Sequence, residues 1–370
     1  MKPILKIYFL LLLFAVPHVI LAKVDTVSIQ STVFQEKRTV LISLPSNYER
    51  EAFFDFPVVY LTDASSQMDH TQSMIHYLSG SISPMIIVGV DTPNRFDELS
   101  PYANGQQTNA KKLHEFIAKE VKPYIEQRYR TAPFSILSGH SLGGAFTLYS
   151  YLYEPNAFSA FVALAPTLAF GNEVLLEKLK ALPEKQLPSL QVFFEGQSQF
   201  DTPKRSYQAL LSIMNSHAAL TKAMQVEILD KEDHMTVAHL GMYQAVRTLY
   251  KDWFLSIPEL LNKEKGFDRH FKQLSHRLNY HVKPTENELW QLVQALLGAQ
   301  KFNPAKEVAD HAFALYPNSH SSFDLQALVA KHQGREGDAR KLWEKAIKLA
   351  SDDVRRVAHY REKINSLPQI

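Results

Sequence analysis

Phe134-Ser135-Ile136-Leu137-Ser138-Gly139-His140-Ser141-Leu142-Gly143-Gly144-Ala145-Phe146 is the stretch that decides how this chain folds. Residues 134–137 form a short apolar run that reads as a buried strand, and 145–153 are rich in good helix formers. Between them a serine is set among glycines in the pattern Gly-x-Ser-x-Gly. That pattern is a nucleophile elbow when a strand precedes it and a helix follows. The sharp turn lifts the hydroxyl above the sheet, and the missing β-carbons let strand and helix backbones come close. Five residues alone are a weak signal, because an ordinary serine in a buried glycine turn can match them. The strand, the helix and a suitable histidine downstream together make Ser141 the candidate nucleophile.

The start of the chain bears on where this chemistry takes place. Lys2 and Lys6 precede an uninterrupted apolar run over 7–16, and the segment closes at Leu21-Ala22 ahead of Lys23. A charged start, a short apolar centre and a small residue at the cut describe a secretory signal over 1–22. The run is too short for a comfortable membrane span, and Ile20, larger than the usual residue three before the cut, keeps an uncleaved anchor as the alternative. The expectation is a periplasmic or secreted protein with no stable membrane span after processing. With no cysteine in 370 residues, disulfides, thiol nucleophiles and cysteine zinc sites are excluded. Forty basic against 38 acidic residues leave a net charge of +2, which gives no electrostatic case for nucleic acid.

Working outward from the elbow, further strand patterns fall at 27–33, 39–44, 58–61, 85–90, 161–165, 192–194 and 226–229. Helix-length amphipathic stretches such as 109–127 and 205–216 lie between the later ones. Short apolar strands separated by helices call for a mainly parallel sheet covered on both faces. The early strands lack intervening helices and predict an antiparallel edge. The fold class is α/β, an α/β-hydrolase three-layer sandwich over 23–257. After Pro258 the strand patterns vanish. A 34-residue offset pairs Ala305 with Ala339, Ala309 with Trp343 and Ala312 with Ala346, a spacing that resembles tetratricopeptide helix pairs. The expectation for 258–370 is a small all-α helical-repeat region, with a further helix over 267–280. Two repeats cannot bury their own faces, so this region docks on the sandwich or on a protein partner through 286–350.

A serine hydroxyl needs a base, and in this fold the chain order is serine, acid, histidine. Of 15 histidines, His234 lies just beyond the last expected strand and ahead of a helix over 242–254, at the sheet edge where the elbow opens. His239 is the runner-up and falls nearer the helix. The acid belongs on the loop after the preceding strand. Asp201, 33 residues before His234, is favoured there. Glu195, closer to the strand end, is the alternative, and a bare Ser–His dyad is the third reading. Asp230 and Asp233 belong to the histidine's own strand–loop unit and read as capping residues. For the oxyanion, the N–H of Leu142 is one donor and the N–H of Ser65, after the 58–61 strand, is the other.

Several blocks resemble, in order, the putative-esterase branch of the α/β-hydrolases, which includes S-formylglutathione hydrolases, feruloyl esterases, trilactone siderophore esterases and mycolyltransferases. They are Phe56-Pro57-Val58-Val59-Tyr60-Leu61-Thr62-Asp63, Val88-Gly89-Val90 with Asn94-Arg95-Phe96-Asp97 and Ser100-Pro101, Val121-Lys122-Pro123-Tyr124-Ile125 with Tyr129-Arg130-Thr131, and Asp233-His234 with Val237. The resemblance covers about residues 25 to 254 and implies a serine esterase that forms an acyl-enzyme on Ser141. It implies a small-molecule ester substrate, of siderophore type or with a small acyl group, and neither metal nor organic cofactor. Two departures stand out. Ala64 occupies the place of a glycine beside the oxyanion loop, and Gln199 stands where the family often carries its acid. They keep open a second reading, an inert hydrolase scaffold that recruits a partner through its repeats. Arg95 is a candidate substrate contact at the pocket rim, there paired with Asp97 or bracing the loop.

Overall fold

The computed structural model describes residues 24–368 apart from 104–105, 169–173, 184–186 and 263–265; the leader expected over 1–22 lies outside the described residues. The main sheet has eight strands: β1 (Val24–Gln30), β2 (Lys37–Ser43), β3 (Phe56–Leu61), β4 (Ile86–Val90), β5 (Thr131–His140), β6 (Ala160–Leu164), β7 (Ser189–Glu195) and β8 (Met224–Leu229). Their order is β1-β2-β4-β3-β5-β6-β7-β8. Each stretch with strand character in the sequence overlaps one of them. β1 pairs antiparallel with β2, and β2 with β4, while every later pairing is parallel. The antiparallel edge is therefore where the sequence lacks crossover helices.

Parallel strands require crossovers, and these build the two outer layers. The main helices of this part are α1 (Ala64–Tyr77), α2 (Leu142–Tyr153), α3 (Thr202–Ser216) and α4 (Thr236–Leu249). β3 and β4 are buried at every residue, and alternate side chains serve opposite faces. Val58 and Tyr60 pack with Phe146 and Leu148 of α2 and Leu210 of α3. Val59 and Leu61 pack with Met68 and Ile75 of α1 and Met242 and Val246 of α4. The carboxyl ends of β3, β5, β7 and β8 come together at one edge, and the site sits there.

The rest of the chain is helical: α5 (Gly266–Leu278), α6 (Glu286–Gly298), α7 (Phe302–Leu315), α8 (His320–His332), α9 (Glu336–Leu349) and α10 (Val354–Asn365). Ala305, Ala309 and Ala312 of α7 share one core with Ala339, Trp343 and Ala346 of α9. The alanines at these places let the helix backbones approach, and Trp343 is fully buried in the same core. α5 behaves differently. Although it lies past residue 257, where the sandwich was expected to end, it gives Leu274 and Leu278 to the α1/α4 core beside Phe134, Tyr250 and Trp253. No described helix is long and apolar enough to cross a membrane.

Polar clasps reinforce this docking. The Glu51 carboxylate accepts the N–H groups of Glu286 (2.8 Å) and Asn287 (3.1 Å) in the first turn of α6. Trp253 Nε1 donates to Glu288 at 2.7 Å, and Lys283 Nζ donates to the Phe53 carbonyl at 2.9 Å. Burial pushes the Glu51 carboxyl up to about 7; the α6 amides oppose the shift and the neighbouring Glu286 charge adds to it. A carboxyl raised above its unfolded value of 4.5 contributes stability that is fully present below that value and is lost as pH rises through 7. Between pH 5 and pH 8 this group alone should cost the fold about 3 kcal/mol at most. Urea midpoints should therefore fall over that range by more in the natural protein than in Glu51→Gln, whose amide does not titrate. Parallel pH profiles for the two would contradict this.

Candidate active site

The elbow begins where β5 runs out. Ser141 has φ 60° and ψ −114°, a conformation that L side chains rarely adopt, directly between the strand and α2. Strain of this kind persists only where the surroundings impose it. Here the Ser141 N–H donates to the Leu164 carbonyl (2.9 Å), while its own carbonyl accepts from Ala145 (3.1 Å) and Thr167 (3.2 Å). The flanking glycines are dictated by space. A β-carbon on Gly139 would lie 2.3 Å from the Gly143 carbonyl oxygen, and one on Gly143 would lie 2.4 Å from Thr62 Oγ1. The hydroxyl is left half-buried at the sheet edge, where it meets Thr167 Oγ1 at 3.3 Å.

His234 lies in the loop between β8 and α4. Asp233 shapes that loop: its Oδ1 accepts the N–H groups of Met235 (2.9 Å) and Thr236 (2.8 Å), and these bonds hold the Asp233 carboxyl below its ordinary range. Asp233 thus caps α4, as a residue of that strand–loop unit was expected to. Ser141 and His234 line the same cleft of about 560 Å³, with His140, Arg95, Ser66, Gln67, His70 and His239. A second cleft of about 580 Å³, walled by Pro166, Phe194, Phe200, Pro203 and Met235, opens on the other side of His234.

The carboxylate that meets the histidine is Glu195, not the favoured Asp201. His234 Nδ1 stands 2.9 Å from Glu195 Oε1, and Glu195 is buried while the His234 side chain is half-exposed. Glu195 is the last residue of β7, so the sheet itself fixes its position. Asp201 is exposed at the start of α3, where its carbonyl accepts the N–H of Arg205 at 3.0 Å. The six residues after Glu195 carry the chain away from the histidine. Gln199, in the same loop, only lines the second cleft. A carboxylate on Nδ1 selects the tautomer whose Nε2 is free to take a proton and offsets the charge that then develops.

Two other expectations shift. The loop after β3 is shorter than expected, because Asp63 takes a left-handed turn (φ 53°) and α1 begins at once with Ala64. Ser65 is consequently an exposed helical residue, and the cleft wall is formed by Ser66 and Gln67 instead. The N–H groups of both are turned to the Asp63 carbonyl, at 2.9 and 3.0 Å. Leu142, the first residue of α2, stands where its N–H follows the serine directly. Arg95 does not pair with Asp97. Its Nε lies 3.0 Å from both carboxylate oxygens of Asp63, and Thr92 Oγ1 adds a bond to Asp63 at 2.7 Å. Asp97 instead accepts from the Asn109 side chain. Arg95 therefore braces the turn ahead of α1 while presenting one side to the cleft. His239 sits in α4 against the His70 ring, 5.6 Å away between centroids.

Sequence reasoning missed His140 and Thr167. The signal for His140 was inside the elbow motif, immediately before the nucleophile. Its partner, the His234 carbonyl at 2.6 Å, is 94 residues away and visible only in the fold. Thr167 had no motif at all.

Known proteins resemble this chain in sequence and in fold. Among curated relatives, the ferri-bacillibactin esterase BesA of Bacillus subtilis is 27% identical over 171 residues, covering 39% of this chain and 58% of that protein. The siderophore triacetylfusarinine C esterase of Aspergillus fumigatus is 24% identical over 167 residues, covering 38% and 57%. The chain thus spans somewhat over half the length of these relatives. Among solved structures, an IroE-like serine hydrolase from Shewanella oneidensis superposes with a TM-score of 0.68 at 26% identity, over 78% of this chain and 99% of that one. An uncharacterised protein from Capnocytophaga ochracea shares the fold over 92% of this chain and 100% of its own, with a TM-score of 0.59 at 17% identity. The family model described as Putative esterase matches residues 31–231, more than half of the 370. With an α/β-hydrolase sheet, a serine elbow and this match, the chain belongs to the Putative esterase family.

Proposed function

We propose that this protein is a serine esterase that hydrolyses carboxylic esters through an acyl-enzyme on Ser141. The observation that carries the reading is Glu195 against His234 Nδ1 at the sheet edge where the strained Ser141 is held. In the proposed cycle His234 takes the hydroxyl proton as Ser141 Oγ attacks the ester carbonyl. The N–H of Leu142 faces the developing oxyanion; Ser65, the expected second donor, does not line the cleft, and the N–H groups of Ser66 and Gln67 are taken by the Asp63 carbonyl. The alcohol leaves with the proton from His234, and the same histidine then activates the water that releases the acid. An acid beside the base supports catalysis over an inert scaffold.

The substrate class we propose is a siderophore-type ester. Two relatives are named for such esters, ferri-bacillibactin and triacetylfusarinine C. The test offers both compounds, and nitrophenyl butyrate as a small-acyl control, to the purified protein and follows the released acids and alcohols by mass spectrometry. Turnover of a siderophore ester at least about tenfold above the control in kcat/KM, a difference of about 1.4 kcal/mol in transition-state binding, is expected. Butyrate preferred over both would replace the class by small-acyl esters. The proposal also has the protein exported, supported by Lys2, Lys6 and the apolar run over 7–16. Residues 258–370 are proposed as a tetratricopeptide-like region, supported by the buried alanines at the 34-residue offset, with 286–350 as the partner-binding part. Their outer faces, which leave Trp290 and Leu349 exposed, are the proposed place for a protein partner.

A further inference from the structure

The loop that carries His234 is fastened to the loop that follows Glu195. The Gln197 N–H donates to the Glu232 carbonyl at 2.9 Å, and its side chain donates to the Asp230 carbonyl at 2.8 Å. These ties hold base and acid together, and the ladder through β5, β6 and β7 sets Glu195 against the elbow strand. The His234 loop itself is tied directly to the elbow strand by a side-chain hydrogen bond from His140 Nε2 to the main-chain oxygen of His234 at 2.6 Å. His140 is the last residue of β5, adjacent to Ser141, and is 5% exposed. Its ring centroid lies 4.8 Å from that of His234.

A carbonyl has no proton to give, so Nε2 of His140 carries the hydrogen and the bond fixes the tautomer. Burial, with the His234 ring and the Arg95 charge nearby, pushes His140 down to about 4, so the ring is neutral where esterases work. We propose that His140 is a positioning residue for the base, holding the His234 loop against the elbow strand on the cleft that Ser141 and His234 share. The half-exposed His234 side chain has little packing to hold it otherwise, and a misplacement of about 1 Å at a reacting group can cost on the order of 100-fold in rate. The inference rests on the serine-esterase reading.

The test compares the natural protein with His140→Phe, His140→Ala and His140→Gln. It measures kcat and KM on nitrophenyl butyrate, the rate of covalent labelling by a fluorophosphonate, and hydrogen exchange of the amides over 231–236. Phenylalanine fills the space without a donor; glutamine restores an N–H that can reach the carbonyl. We expect kcat and labelling to fall about 10- to 100-fold in the Phe and Ala variants with KM changed less than about threefold. Loop exchange should quicken in both, and the Gln variant should recover most of the rate. Full activity in folded His140→Phe, or an equal loss in Phe and Gln with unchanged exchange, would overturn the positioning role. Failure of the natural protein to label at all would instead remove the esterase reading beneath it.

Discussion

Ser141→Ala is expected to abolish ester hydrolysis and fluorophosphonate labelling, with a loss of about 10⁴-fold or more in kcat. The hydroxyl oxygen is the only atom removed, and no neighbouring group can take its place: Thr167 Oγ1 meets the serine but is not the residue held in the elbow. The substitution leaves the backbone constraint in place, since alanine keeps the β-carbon that makes φ 60°, ψ −114° costly. Ser141→Gly should be equally inactive but more stable than Ser141→Ala. It relieves about 1–3 kcal/mol of local strain and gives back about 0.5–1 in chain entropy, for a net gain near 1 kcal/mol. Melting curves of the two variants separate this from a simple loss of fold. Residual turnover within tenfold of the natural protein would end the assignment of Ser141.

The second large effect divides two carboxylates. Glu195→Gln should lower kcat by about 10²–10⁴-fold with little change in KM, because an amide neither offsets the imidazolium charge nor secures the tautomer. Glu195→Asp should retain part of the loss, since the shorter side chain leaves its oxygen short of Nδ1. Asp201→Asn, by contrast, should stay within about twofold, as for surface changes generally. The comparison is direct because both residues lie near the same strand end. If Asp201→Asn is the damaging change, the pairing at 2.9 Å between Glu195 and His234 is not the working one.

Much of this was legible in the sequence, for identifiable reasons. The central strands β3 to β7 announced themselves because parallel strands buried on both faces are short and continuously apolar. Ser141 directly follows β5 and His234 lies five residues past β8, in loops where topology leaves little choice of candidate. The acid was harder to place, since the deciding fact was the last paired residue of β7. Sequence marks a strand's apolar centre, 192–194 here, far better than its end, and Glu195 is that end. Ser65 failed similarly, because the chain enters α1 one residue after β3's turn through a left-handed Asp63 that sequence pattern did not foretell. Arg95 found Asp63 rather than Asp97 because its partner comes from another strand's loop, which local spacing cannot show.

The way α5 and α6 are fastened bears on how this protein can change over generations. Leu274 and Leu278 sit inside the enzyme's own core, and Glu51 and Trp253 hold the start of α6. A helical tail joined so deeply cannot be traded between proteins like a bead on a string, because the chain left behind would bare Phe134, Tyr250 and Trp253 to water. Selection on the site thus reaches residues far from it, and the tail is inherited as part of the sandwich's own body.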